Sequence, residues 1–265
     1  MIRRFGTYLA LCLLTTGTAP AQWVGAGEPA SVRAAAMGGA PGMASPRLIL
    51  ANPALSGFVT GFETGLAVHE YNGIEVGAAA VRDGLGVAVG ASGDPGLVRA
   101  AIGASRDVLG FSAGLMGSVR ELRGRARAWH AGIGLARNLG PLQAGVALND
   151  ITLNEDRRAP GGWLDDAAFR AHAGTQTLEM GPLDVAVAGH TAVQDGVWFS
   201  GTGVEVAYWP VTGRTFRVLA GIGSSLDMES HLTVGGSFTG DWLTIEYARD
   251  RLSGEVAHRF GLRWR

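Results

Sequence analysis

The sequence predicts an all-β fold: a transmembrane antiparallel β-barrel of about fourteen strands with a plug formed by its N-terminal segment. Three observations lead to this prediction. The chain opens with a stretch typical of secretion signals, continues with a Gly/Ala-rich segment that ends in Asn-Pro-Ala, and then alternates in short strands. The predicted division is a signal peptide over 1–21, a hatch or plug segment over 22–56 and an outer-membrane barrel over 57–265.

The first residues have the features of a signal peptide. Arg3 and Arg4 give a positive start, residues 8–14 form a short apolar run, and Ala19-Pro20-Ala21 is a small-residue cleavage site. The apolar run is far shorter than the roughly 20 residues that a spanning helix needs. Because Cys12, the only cysteine, lies in this stretch, no disulfide is expected in the mature chain.

Composition narrows the class further. Of 265 residues 42 are glycine, and 47% are hydrophobic without a long apolar run. The glycines lack the three-residue period of collagen, and the hydrophobic content is too high for a disordered chain. The net charge of −1 and the lack of a basic tract predict no nucleic-acid partner.

Alternation of apolar and polar residues, bounded by turn residues, predicts the strands. Their number is even and most are 9–13 residues long, as in bacterial outer-membrane barrels. Turn residues stand between them, as in Arg82-Asp83-Gly84, Asn138-Leu139-Gly140 and Gln194-Asp195-Gly196. A soluble β-sandwich, which also alternates, is the alternative. The predicted strands are 58–70, 73–82, 84–92, 98–106, 108–120, 126–137, 141–151, 166–178, 182–193, 197–209, 214–225, 230–238, 242–249 and 254–265.

The same alternation separates a lipid face from a lumen face. In the last strand, Phe260, Leu262 and Trp264 share the side expected to face lipid. Aromatic residues near strand ends predict interfacial girdles; these are Trp129, Trp198, Tyr208, Trp209, Trp242 and Trp264. The lumen-facing candidates are Asp184, His190, Thr244, Glu246, Glu255, Arg259 and Arg263.

Many positions on the predicted lumen side are glycine. Repeated glycine in strands marks either close backbone approach or a bend. Two interpretations stay open: the glycines leave room for an internal plug or an elongated apolar ligand, or they relieve curvature in a small barrel. The residues are Gly86, Gly90, Gly103, Gly110, Gly114, Gly132, Gly134, Gly145, Gly221, Gly223 and Gly235.

The run Arg33-Ala34-Ala35-Ala36-Met37-Gly38-Gly39-Ala40, followed by Asn52-Pro53-Ala54, resembles the N-terminal pattern of the PorV/PorQ family. That family is related to the FadL-like superfamily of outer-membrane barrels. The resemblance implies a fourteen-stranded barrel whose N-terminal segment folds into the lumen as a hatch containing the Asn-Pro-Ala turn. The hatch motif residues are then Arg33, Met37, Gly38, Gly39, Asn52, Pro53 and Ala54.

The function expected from this resemblance is binding or passage of a small hydrophobic solute through a plugged lumen in the bacterial outer membrane, with lipid as the surroundings. One alternative is a secretion or envelope-assembly barrel like PorV, which would bind a protein partner through its wall or its loop 154–166. Another is a structural barrel without transport. No metal is expected, because the six histidines lack metal-ligand spacing. No enzyme activity is expected either, because lumen-facing polar residues such as Asp184 and His190 belong far more often to a solvated network than to a catalytic site. No cofactor is expected, and Gly-rich stretches such as Gly132-Ile133-Gly134 lack the following helix that a phosphate-binding loop needs.

Overall fold

The structure is a computed structural model of the whole chain. The signal peptide predicted over 1–21, and residues 22–30 of the predicted hatch, lie outside the residues that it describes. The described residues are 31–40, 45–69, 73–92, 97–122, 127–154, 167–175, 177–194, 196–211, 213–225, 228–252 and 255–264.

In the described residues, three short helices precede the first strand: the α-helix α1, Val32–Ala36, and the 3₁₀ helices η1, Pro46–Leu50, and η2, Pro53–Gly57. Each is preceded by a serine or asparagine whose side-chain oxygen accepts a hydrogen bond from a backbone N–H of the first turn. Proline then occupies the first position of η1 and η2, where its missing N–H costs nothing. Within the described residues, no helix has the length and apolar character to cross a membrane.

Fifteen strands follow in the part of the chain that the structure describes. Their bounds are β1 Gly61–His69, β2 Gly73–Arg82, β3 Leu85–Ser92, β4 Leu97–Val108, β5 Phe111–Leu122, β6 Ala128–Leu139, β7 Leu142–Thr152, β8 Ala168–Thr175, β9 Leu178–Met180, β10 Leu183–Gln194, β11 Val197–Val211, β12 Arg214–Ser225, β13 Met228–Thr239, β14 Leu243–Leu252 and β15 Glu255–Trp264.

The sheet closes on itself. Each strand pairs antiparallel with its neighbours, and β1 pairs with β15 from Phe62–Trp264 to His69–Ala257. Strands β8 and β9 pair with successive parts of the same edge of β10, so fifteen strands occupy fourteen positions. The prediction of a fourteen-stranded antiparallel barrel is confirmed, and the soluble sandwich is wrong. Closure satisfies the backbone groups that an open edge would expose to lipid.

The strand predicted over 166–178 is divided into β8 and β9. At the division, Thr175 Oγ1 accepts from Val187 N at 2.9 Å and donates to Val187 O at 3.4 Å. A side-chain hydroxyl therefore takes the place of a backbone partner at this point of the wall.

Tight turns join the strands at one end of the barrel. Asp83 and Gly84 have φ of 52° and 79°, and Leu109 and Gly110 have φ of 56° and 79°. Gly110, which the alternation placed among the lumen positions, instead lies in a turn with open space around it. The longest interval between consecutive strands runs from Thr152, where β7 ends, to Ala168, where β8 begins, and both residues lie at the other end of the barrel. Since bacterial barrels have short periplasmic turns and longer outer loops, the tight turns mark the periplasmic end.

Outward-facing side chains of the wall are mostly apolar and exposed. Leu115 is 67% exposed and Ile102 63% exposed, although both lie in the middle of strands. Near the strand ends, Trp129, Trp198 and Trp242 are more than half exposed. An apolar band between aromatic residues is the exterior of a barrel surrounded by lipid.

Candidate functional site

The inner side of the wall holds the N-terminal segment, by which we mean residues 31–40 and 45–57. Helix α1 packs against β12 to β15, η1 against β1 to β3, and η2 against β3 to β6. Its apolar side chains are buried: Met37 and Ile49 are 1% exposed, and Leu55 is 2% exposed. The segment therefore occupies the interior as a packed element.

Glycines of the strands make room for this close packing. A Cβ atom at Gly203 would lie 2.5 Å from Met37 Cα, and one at Gly103 would lie 2.8 Å from Ile49 Cδ1. Both distances are shorter than any normal carbon contact, so a larger residue would push the segment away. Wall glycines at which an added Cβ would meet the segment within 3.4 Å are Gly65, Gly77, Gly86, Gly103, Gly114, Gly134, Gly201, Gly203, Gly221, Gly223, Gly235 and Gly261. For these positions the structure favours the first interpretation, room for an internal segment.

Asn52 fastens the Asn-Pro-Ala turn to the wall. Its Oδ1 accepts from Ala54 N at 2.9 Å, which caps η2. Its Nδ2 donates to Leu135 O on β6 and to Val146 O on β7, both at 3.2 Å. The side chain is fully buried. A Cβ at Gly134 would lie 3.1 Å from Pro53 Cδ, so this glycine lets the turn lie flat against the strands.

Three wall residues that were not predicted as site residues also hydrogen-bond to the segment. Asn149 Nδ2 donates to Ala51 O at 2.7 Å, and Ser112 Oγ donates to Ala54 O at 2.7 Å. Thr233 Oγ1 donates to Ala36 O and accepts from Gly38 N, both at 2.9 Å. Asn149 precedes Asp150, which has φ of 60° at a bulge in β7. An Asn-Asp pair inside a predicted strand favours a bulge, and this feature of the sequence could have indicated that Asn149 has a special position.

The loop between α1 and η1 begins with two glycines in the left-handed region, Gly38 at φ 70° and Gly39 at φ 87°. A Cβ at Gly39 would lie 2.8 Å from His190 Cε1. The predicted lumen residue His190 thus lies against the segment, opposite His172 on β8.

An ion triplet joins the segment to the wall. Arg33 of α1 and Arg217 of β12 both contact the carboxylate of Glu205 on β11, with Arg217 Nε 3.1 Å from Glu205 Oε1. The three side chains are 6–17% exposed. Arg217 also donates to Thr239, whose hydroxyl bonds that of Thr244 at 3.0 Å. Thr244, a predicted lumen residue, is therefore buried in a polar network.

A second polar group surrounds the start of η1. Ser45, the cap of η1, donates its hydroxyl proton to Glu63 of β1, which is fully buried. Across the β1–β15 pairing, Glu63 is opposite Arg263, and Arg263 NH2 lies 3.2 Å from Glu246 Oε1. The structure thus brings together two predicted lumen residues, Glu246 and Arg263, beside the segment.

Closer to the outer end of the barrel, the interior carries two further charge groups. Arg259, another predicted lumen residue, lies 3.1 Å from Asp250 and 3.7 Å from Glu75. Arg99 and Arg120 both contact Asp150, which is 1% exposed.

The remaining candidates are not gathered into one site. Asp184 is partly buried opposite Ala207, six residues from His190 along β10, which corresponds to about 20 Å. Within the described residues, no three His, Cys, Asp or Glu side chains are placed to hold a metal ion. The side chain of Glu255 lies outside the described residues. The loop 154–166 does so too, apart from Asn154, which accepts from Trp129 N at 2.8 Å.

No family model and no curated protein matches the sequence. Several solved structures match the fold. The toluene transporter TbuX of Ralstonia pickettii has a TM-score of 0.59 at 14% identity, covering 89% of this chain and 98% of that one. The toluene transporter TodX of Pseudomonas putida has a TM-score of 0.54 at 15% identity, covering 94% and 98%. The monoaromatic hydrocarbon channel CymD has a TM-score of 0.55 at 12% identity, covering 89% and 96%.

The closed wall, the apolar exterior and this likeness define a porin-like transmembrane β-barrel of the bacterial outer membrane. At these identities the likeness concerns the fold alone, and membership of the FadL-like superfamily stays a prediction. Membership of the PorV/PorQ family stays a prediction.

Proposed function

We propose that this protein passes small hydrophobic solutes across the outer membrane, and that the N-terminal segment is the hatch that closes its lumen. The observation that carries the proposal is the docking of the Asn-Pro-Ala turn. The Nδ2 group of Asn52 donates hydrogen bonds to carbonyls of two adjacent wall strands, and Gly134 leaves the room that the turn needs. These contacts are among those that must break if the segment is to move away from the wall.

The interior at the end of η1, away from the polar group at its start, carries an apolar cluster that suits an apolar solute. Ile49 and Leu50 pack against inward-facing Ala79, Ala88 and Met116 of the wall. Once the segment moves away from the wall, these side chains offer a hydrocarbon dispersion contacts. The channels of similar fold named above carry toluene or monoaromatic hydrocarbons by their descriptions. We therefore choose toluene as the first solute to test.

The test is flux into liposomes containing the refolded barrel. Deleting residues 31–54 should increase toluene uptake and also admit small polar dyes, because the lumen would be left open. A reversible lock gives a second, independent measurement. The Cβ of a residue replacing Gly103 would lie 3.1 Å from Ile49 Cγ1, so the pair Ile49→Cys/Gly103→Cys places two thiols within reach of a disulfide.

The oxidised pair should block toluene uptake and reduction should restore it, whereas the single variant Ile49→Cys should not respond to the redox state. Flux that is equal in the oxidised pair, the reduced pair and the deletion variant would rule out a hatch. Cys12, which lies in the predicted signal peptide, is the only native cysteine, so a chain that lacks residues 1–21 has no competing thiol.

A further inference from the structure

The outer surface of the barrel has an apolar groove of about 800 Å³ over strands β4 to β8. Its walls are large outward-facing side chains, and its floor is the backbone around Gly114, Gly134 and Ala147. It lies on the lipid side, because its large side chains alternate with the inward-facing residues that contact the N-terminal segment. The wall side chains are Leu115, Ile133, Leu135, Val146, Leu148 and Phe169.

The groove exists because small outward-facing residues interrupt the apolar band. Ala104 on β4 and Ala113 on β5 line it, and the next outward position on β5 after Leu115 is Gly117, around which there is open space. Large residues on β6 to β8 rise beside these small ones. The surrounding membrane must fill the concavity, because an empty apolar void would forfeit contacts.

Two arginines lie at the periplasmic end of this groove. Arg106 lines it from β4, two residues before the tight turn to β5. Arg137 is the next outward-facing residue after Leu135 on β6, and its guanidinium carbon lies 4.6 Å from the ring centroid of Phe111. Both side chains are exposed. An aromatic ring beneath a guanidinium holds it at the level of the membrane interface.

The charge at this rim is of one sign. Asp107 accepts from Gly110 N at 3.0 Å and belongs to the opposite face of β4. Among the outward-facing residues that the structure describes on β4 to β8, Glu121 is the only acid. It lies at the other end of β5 and pairs with Arg127. The guanidinium groups of Arg106 and Arg137 therefore face the membrane without a carboxylate beside them on this surface.

We propose that this surface is a binding site for one anionic phospholipid of the periplasmic leaflet. The phosphate lies between Arg106 and Arg137, and an acyl chain follows the groove between Leu115 and Leu135. Strands β4 and β6 are two positions apart, or about 10 Å, so two long arginine side chains can converge on one headgroup. Arginine matches phosphate geometry with paired N–H donors. This inference does not depend on the proposed transport function.

The experiment is native mass spectrometry of the full mature barrel in detergent, titrated with phosphatidylglycerol. We expect each barrel to retain one phosphatidylglycerol molecule in preference to the detergent. The double variant Arg106→Gln/Arg137→Gln should weaken its binding at least tenfold. A second variant, Ala113→Phe, fills the groove while keeping both charges and should also reduce retention. Since both changes lie on the outer surface, heat-modifiable migration on SDS gels checks that each variant forms the barrel.

The matched control is Arg214→Gln. Arg214 is an outward-facing arginine at the same end, beside Phe216 on β12 and on another side of the barrel, and it should leave lipid retention unchanged. Equal retention by the native protein, the double variant and Ala113→Phe would overturn the proposal. So would equally tight binding of phosphatidylcholine and phosphatidylglycerol, since the net negative charge would then be irrelevant. Dimers that form through this face without lipid would instead assign the groove to a second copy of the chain.

Discussion

Replacing Asn52 with alanine should weaken docking of the N-terminal segment without opening the barrel wall. The change removes the cap of η2 and the two hydrogen bonds to Leu135 O and Val146 O. Those carbonyls belong to residues that pair with each other across β6 and β7, so they keep partners in the strand ladder. The substitution therefore reduces the free energy of docking of the segment and leaves the pairing of β6 with β7 intact.

The magnitude follows from the lost contacts. A helix cap contributes about 1 kcal/mol, and each neutral hydrogen bond adds about 1 kcal/mol net. Docking should therefore weaken by about 3 kcal/mol, which is roughly a 150-fold increase in the undocked population. Asn52→Asp should weaken it more, because it keeps the cap but points a buried carboxylate oxygen at two carbonyl oxygens.

Hydrogen exchange measured by mass spectrometry provides the assay. The informative amides are those of Leu55 and Phe58, since their acceptors, Asn52 O and Leu55 O, are backbone atoms that the substitution does not touch. They should exchange about 100-fold faster in the variant if opening of the segment limits exchange. Asn138→Ala is the control: Asn138 lies on β6 but bonds only Gln143 among the contacts described for it. Unchanged exchange at Leu55 and Phe58 in Asn52→Ala would refute the reasoning.

Two further predictions concern the fit between segment and wall. Gly134→Ala should lower stability by about 1–3 kcal/mol, because the new methyl would overlap the Asn52 side chain; Gly117→Ala, which faces open space, should change it by less than about 0.5 kcal/mol. The urea midpoint of unfolding compares the two, and equal midpoints would contradict the steric argument. Glu205→Ala should cost about 3–5 kcal/mol, since it leaves two nearly buried arginines facing each other. Glu121→Ala, which breaks a half-exposed pair, should cost less than about 1 kcal/mol, and similar losses for both would show that burial is not decisive.

The barrel could be predicted from sequence because lipid imposes a simple pattern on strands. An outward position in the membrane is apolar and the next one is not, so the period of two is visible in β14 and β15 without structural information. Turn residues fixed the ends in the same way, as with Asp83-Gly84, which adopts positive φ. The break between β8 and β9 was not predictable, because Thr175 replaces a backbone partner with a side chain that is equally common inside unbroken strands.

The helices of the segment were missed although a signal was present. Ser45-Pro46 and Asn52-Pro53 each combine a capping residue with proline at the first helical position. The inner-face partners were harder to find. Glu205, Asn149 and Thr233 are polar residues in alternating strands, and only the position of each strand around the barrel decides which of them meets the segment.

The position of the segment has a consequence for assembly. Helix α1 contacts the last four strands of the chain, whereas η1 contacts the first three. The segment therefore contacts both sides of the pairing between β1 and β15, where the first and last strands of the sheet meet. Both sets of contacts can be made at the same time only when those edges have come together. Closure of the wall and seating of the segment are thus expected to be one cooperative event, and a chain that reaches the membrane without residues 31–57 would have to join its first and last strands unaided.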